Sequence, residues 1–322
     1  MKVLQNILSE KIVSIDIETV RVKENFEDLD DGTQSAWEYK NKQNGEVPDY
    51  EELKELWTKN ASLYAEFSKV CAVSLAFLHD GQLYCKEFYG EDELEILKAL
   101  SITFNNMQVQ SKDYRLVAHS GRFFDYPYLS KRFIVNGFDI PPLIDSTDSK
   151  PWLQTNLCTN ELWKVGGTGA GSSLQALCNV LNIPISKVDL VGDAVGKAYY
   201  DGELERIGRY CSLDTIATFN VIRRFKKESI FQFDDVQYVF GYSDDVKPTE
   251  IEIEQPLLIK LYNLGVFSKE IKSELKELLI EPTEEDKANL KKIIVAHYQK
   301  KGDKVAIKKQ KEAEIAKFID NL

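Results

Sequence analysis

The sequence predicts an α/β fold with a mixed central sheet flanked by helices. Short apolar runs with strand-like patterning stand at 11–16, 69–78, 83–89 and 114–120. Apolar residues recur at helical spacing over 91–104, 126–137, 172–183 and 202–227. Strands come early and are interleaved with helices later, which is the order of an α/β domain.

The first strand lies in "KIVSIDIET" (11–19) and is expected to run over 11–16. The polar, acidic stretch 21–68, dotted with Tyr and Trp, reads as helices and loops inserted before the sheet resumes. "KVCAVSLAFL" and "LYCKEFY" flank the turn "HDGQ" as two strands. "EDELEILKAL" opens a helix with an acidic first turn, and "YRLVAHS" (114–120) reads as a buried strand. "YPYLSKRFIVNG" is a helix ended by Gly137. A short "LCTNELWKV" segment and the glycine-rich "GGTGAGSS" (166–173) precede a helix with a serine N-cap. From 228 the composition shifts: 228–265 is irregular, with Pro248 and Pro256, and 267–322 reads as two or three Lys/Glu-rich helices with Thr283 as a cap. The expected organisation is therefore a main domain over 1–227 and a linker with a C-terminal helical extension over 228–322.

At 322 residues, 43% apolar and 29% charged, the composition is that of an ordinary globular protein. No apolar run approaches the roughly 20 residues of a membrane span, and "MKVLQNILSEK" lacks the features of a signal peptide, so a cytoplasmic location and no membrane partner are expected. Cys71, Cys85, Cys158, Cys178 and Cys211 are odd in number and scattered, which fits reduced, buried thiols. His79, His119 and His297 are too dispersed to suggest a zinc cluster. The formal charge of −11 argues against a protein that coats nucleic acid by electrostatics, but not against an enzyme that grips a few nucleotides.

Asp16 and Glu18 are two apart on a strand and so project from the same face. Either the strand has ended and both lie in a solvated turn, or a hard divalent cation neutralises them. Asp125 sits where a helix begins, the place of an ordinary N-cap. Tyr210 and Asp214 are four apart on a helix and share a face beside apolar Ile207, Leu213 and Ala217.

Taken in order as D-x-E, F-D and Y-x-x-x-D, the motifs "SIDIET", "HSGRFFDYPYL" and "RYCSLDTIAT" resemble those of the DEDD 3′–5′ exonucleases of the ribonuclease H-like fold, in the subgroup with tyrosine in the third motif. A closer likeness, over roughly 11–227, is to predicted bacterial exonucleases related to the proofreading domain of family B DNA polymerases. The resemblance implies a ribonuclease H-like mixed sheet and two divalent metal ions, Mg or Mn, held by Asp16, Glu18, Asp125 and Asp214. Asp16 is expected to bridge the two, with Tyr210 orienting the attacking water. It further implies a single-stranded nucleic-acid substrate, with DNA favoured over RNA, and substrate contacts from Thr19, His119, Ser120, Phe124 and Arg132. The C-terminal extension is expected to bind a protein partner, to enlarge the substrate channel or to buttress the domain.

Two positions depart from the family pattern. Ser120 stands where relatives commonly have Asn, and Cys158 where the nearest have Asp. The glycine-rich loop lacks the Lys-Ser/Thr ending of a P-loop, so a nucleotide-binding α/β protein is the weaker reading. A catalytically weak nucleic-acid-binding or scaffold protein on the same fold is the rival from another class.

Overall fold

A computed structural model describes residues 1–147, 154–185, 190 and 192–241. These belong to a compact unit, Met1–Tyr242. The helical extension expected over 267–322 lies outside the described residues, as does "KPW" (150–152).

A short helix α1 (Lys2–Gln5) leads into β1 (Ile12–Arg21), then α2 (Asp31–Lys40) and α3 (Tyr50–Asn60). Next come β2 (Ser68–His79), β3 (Gln82–Tyr89), α4 (Glu93–Gln110), β4 (Arg115–Ala118) and α5 (Asp125–Val135). β5 (Leu157–Cys158), α6 (Thr159–Lys164), α7 (Leu174–Val180), α8 (Val195–Tyr200), α9 (Leu204–Lys226) and β6 (Gln237–Phe240) complete the unit. The sheet order is β5-β4-β1-β2-β3-β6. β2 runs antiparallel to β1 and β3, while the β1–β4, β4–β5 and β3–β6 pairs are parallel. This is the mixed sheet expected of a ribonuclease H-like domain, and β6 carries it past residue 227. Among the described residues no helix is long and apolar enough to cross a membrane.

Alternation along β1 divides the core. Val13, Ile15 and Ile17 face one side, where they pack with Leu97, Phe104, Leu129 and Phe133 of α4 and α5. Ile12, Ser14, Asp16 and Glu18 face the other side, against α9. Small polar residues line that contact: Ser14 Oγ donates to Thr215 O at 2.9 Å, and the Ser74 and Ser212 hydroxyls are 2.9 Å apart. Such side chains let the helix approach the sheet while their own polar atoms stay bonded.

The strand does not end at residue 16. Pairing with β2 continues through Arg21 and slips once, Glu18 facing Ala72 and Thr19 facing Val70, so that Cys71 is an extra residue on β2. This is a β-bulge opposite the acidic pair, where bulges commonly re-aim side chains. The insertion at 21–68 builds its own small core from Phe26, Trp37, Leu53, Trp57 and Phe67, with Trp37 and Phe67 rings 5.0 Å apart and edge-on.

Candidate active site

β4 pairs with β1 only at Ile12, Val13 and Ser14, so β1 outruns its neighbour before it reaches Asp16. The chain leaves β4, turns through 119–124 and enters α5 beside this stretch. Ser120 takes a left-handed backbone, φ 66°, and Gly121 lies so close to Ala118 that a Cβ there would come within 2.4 Å of the alanine Cβ. Only glycine fits that approach.

Asp125 is the first residue of α5 rather than its cap; Phe124 occupies the cap position and makes no side-chain bond there. Asp125 is 3% exposed, and its own N–H and that of Ile17 favour the charged form of its carboxyl. Its neighbours across the gap are Asp16 and Glu18, which stay partly open to solvent. Two buried thiols brace the backbone behind that pair, Cys211 donating to Asp16 O at 3.3 Å and Cys71 to Glu18 O at 3.4 Å. On α9, Tyr210 and Asp214 stand one turn apart, and the tyrosine hydroxyl favours the charged form of the carboxyl.

These groups share one electrostatic field. Burial, then Glu18, Asp125 and Asp214, push Asp16 well above the usual carboxylate range. Burial, then Asp214 and Asp125, do the same to Glu18. Burial raises Asp125 to about 7, against the two N–H bonds that favour its charged form. Burial raises Asp214, and the Tyr210 bond opposes it. Tyr210 is raised in turn by burial, then by Asp214, Glu18 and Asp16. Among the described residues no lysine or arginine is among the groups that act most on the four carboxylates. Among the described residues no group of three or more His, Cys, Asp or Glu side chains is placed to hold a metal ion. The donor set, all carboxylate oxygen and mutually repelling, nonetheless has the chemistry that suits hard divalent cations.

The expected substrate residues divide. Thr19 Oγ1 donates to Ser62 O at 2.8 Å and is buried, so its hydroxyl is engaged within the fold. Arg132 differs most from expectation. Its guanidinium is 7% exposed, forks onto Glu93 at 2.8 and 2.6 Å, and donates to Ala65 O at 2.7 Å, which leaves it no outward face for phosphate. Lys131, its neighbour, pairs with Glu66 at 3.5 Å. Phe124 is half-buried and packs against Tyr128, ring centroids 5.1 Å apart. The outward ring is that of Phe123, 70% exposed, with Lys164 Nζ 5.8 Å from its centroid.

His119 and Ser120 hold the glycine-rich loop. His119 Nε2 lies 2.9 Å from Ser172 O, a pure acceptor, so Nε2 carries the proton. Nδ1 then accepts from the Thr159 hydroxyl at 2.9 Å, and burial keeps the ring neutral by lowering its pKa. Asn160, which sequence reasoning missed, donates to Ser120 Oγ at 2.9 Å and accepts from the Ser172 N–H at 3.0 Å. Gly171 makes room for it, since a Cβ there would lie 2.1 Å from Asn160 Oδ1. Cys158 is buried at the start of α6 and offers the helix no side-chain cap.

Residues 61–240 match the model of a family described as predicted 3′–5′ exonucleases related to the exonuclease domain of PolB. The match covers Asp125, Tyr210 and Asp214, and Asp16 and Glu18 precede it. No curated protein matches the sequence. Among solved structures, the family B DNA polymerase from the hyperthermophilic archaeon Pyrobaculum calidifontis is similar at 14% identity and a TM-score of 0.42, over 76% of this chain and 25% of that one. The chain thus corresponds to about a quarter of that polymerase's length. Because the family model spans more than half of the sequence, the chain belongs to the predicted 3′–5′ exonucleases related to the exonuclease domain of PolB.

Proposed function

We propose that this chain hydrolyses phosphodiester bonds at the 3′ end of single-stranded nucleic acid, DNA in preference to RNA, and releases nucleoside 5′-monophosphates. The observation that carries this reading is the bringing together of Asp16, Glu18, Asp125 and Asp214 from β1, α5 and α9 into one mutually repelling group beside Tyr210. The preference for DNA rests on the family's relation to PolB.

The four carboxylates would hold two divalent cations, Mg or Mn, which when bound supply a nucleophile at neutral pH and neutralise charge on the leaving oxygen. Tyr210 stays protonated, because its hydroxyl is pushed far above neutral. It donates that proton to Asp214, which leaves its oxygen lone pairs to accept from and orient the attacking water. The Ile17 N–H favours the charged form of Asp125, which a bound cation requires. The exposed Phe123 ring offers a face on which a base can stack without regard to sequence. The main domain supplies this site.

The test is product analysis. Single-stranded DNA and RNA of one sequence are incubated with Mg or Mn, and the released nucleotides are identified by chromatography. Nucleoside 5′-monophosphates, formed faster from DNA, support the proposal; binding of strands without any release favours the scaffold protein instead.

A further inference from the structure

On the sheet face opposite the carboxylates, the last two turns of α4 stand away from β1, β2 and β3. They leave a cavity of about 200 Å³, partly open to solvent. Its walls are mainly apolar, with Val13, Leu75 and Phe77 from the sheet and Met107 from the helix. Among the described residues one cation lines it, Lys86 of β3. Strand alternation puts Lys86 on the same face as Phe88, so the ammonium is directed beneath α4 rather than to open water.

Lys86 is unusual in what surrounds it. Its Nζ donates to Thr103 Oγ1 at 3.3 Å, and that hydroxyl is itself spent on Ala99 O at 2.9 Å. The other neighbour in reach is the Phe88 ring, 5.2 Å away. An ammonium carries three donors, and a neutral hydroxyl and a ring face leave it short of the anionic partner a half-buried lysine ordinarily has. Burial lowers its pKa, and among the described residues no acid acts on it. At the rim Tyr114 donates to Gln110 Oε1 at 3.3 Å, and Lys11 Nζ lies 4.3 Å from the Tyr114 ring centroid, so the entrance too carries positive charge.

We propose that this cavity binds a small monocarboxylate with a compact apolar body, its carboxylate on Lys86 and its body against Leu75, Phe77 and Met107. Size supports this class: an apolar cavity of about 150 Å³ holds benzene, and 200 Å³ leaves room for a carboxylate besides. Charge supports it as well, because a carboxylate supplies both the acceptor and the counter-charge that Lys86 lacks, through a charge-assisted bond. The occupant is distinct from the nucleic-acid substrate, since Val13, Leu75 and Phe77 point away from the face that bears Asp16 and Glu18.

Benzoate is the probe, with benzamide as its uncharged match in shape and acetate as its charge without a body. Amide resonances of the full chain are followed by two-dimensional NMR during titration. The expected result is a saturable shift confined to residues around 75–77, 86 and 103–110, with benzamide and acetate each at least tenfold weaker. Lys86→Met, which keeps the stem and removes the charge, should weaken benzoate at least tenfold, and Met107→Phe, which fills the cavity, should abolish the shift. An absent or unsaturable shift, equal binding of benzamide, or a benzoate shift unchanged in Lys86→Met overturns the proposal. Nuclease activity of the same variants is read in parallel and is expected to stay unchanged, so this site and the catalytic reading fail separately.

Discussion

The backbone N–H of Ile17 on β1 favours the charged form of the Asp125 carboxylate at the start of α5, against the burial that raises it to about 7. Asparagine can accept from the same N–H without the charge. Asp125→Asn is therefore expected to fold, to melt a few degrees higher than the native chain in chelator, and to lose at least ~10²-fold in hydrolysis rate. Calorimetry and a strand-cleavage assay read the two effects separately.

The buried acids give stability a definite pH slope. All four carboxyls lie above their ordinary range, Asp125 at about 7, whereas in the unfolded chain they titrate near ~4. Between those values the folded chain holds protons that the unfolded chain has released, so stability falls as pH rises through the window. In chelator the native Tm should exceed its own value at pH 8 when measured at pH 5.5. The Asp16→Asn variant should show a shallower slope, and Mn added at pH 8 should raise the native Tm but not that of the variant. Equal slopes for the two proteins would show that the acid cluster does not set the pH dependence.

Tyr210 has a role separable from packing. Tyr210→Phe removes the donor that holds the Asp214 pKa down, so Asp214 should rise further. The acid limb of the pH–rate profile is then expected to move to higher pH, with the rate about 10- to 100-fold lower on the plateau. Loss of rate with an unmoved acid limb would limit the hydroxyl to contacts with water.

Arg132 and Glu93 form a buried ion pair, and Glu93 Oε1 also accepts the Val70 N–H at 2.8 Å. Removing one partner strands the other charge, so Arg132→Met should cost about 3–5 kcal/mol in urea unfolding. KM for a single strand should be unchanged below the melting range. A raised KM at unaltered stability would return Arg132 to the phosphate contact expected of it.

Phe123 and Phe124 are adjacent and differ in exposure. Stacking on a base is worth about 1–3 kcal/mol, so Phe123→Ala should raise KM roughly 5- to 100-fold, and Phe123→Trp should keep it near native. Phe124→Ala should act chiefly on Tm, through its packing on Tyr128.

Much of this was legible because chemistry and periodicity agree. Alternation puts Asp16 and Glu18 on one face of β1, and the four-residue spacing puts Tyr210 and Asp214 on one face of α9, where the acids raise the tyrosine pKa. The strand end at residue 16 was misjudged because Asp and Glu are poor strand formers, and it is pairing with β2 that carries β1 to Arg21. Arg132 is expected to contact substrate, but its partner Glu93 is 39 residues away, and nothing local announces the pair. Phe124 was preferred over Phe123 for base contact, but which of two adjacent rings turns outward depends on the backbone of the cap, which composition does not encode. α8 and β6, of six and four residues, are too short to leave a periodic signal.

The most direct measurement is cleavage of one single-stranded DNA oligonucleotide, labelled at its 5′ end in one sample and at its 3′ end in another, by the native chain and by Asp16→Ala. With Mg or Mn, the account predicts a ladder of 5′-labelled products shortening one nucleotide at a time, immediate release of the 3′ label as mononucleotide, and no cleavage with chelator or with the variant. Intact strands under every condition, or cleavage that persists in Asp16→Ala, would contradict it.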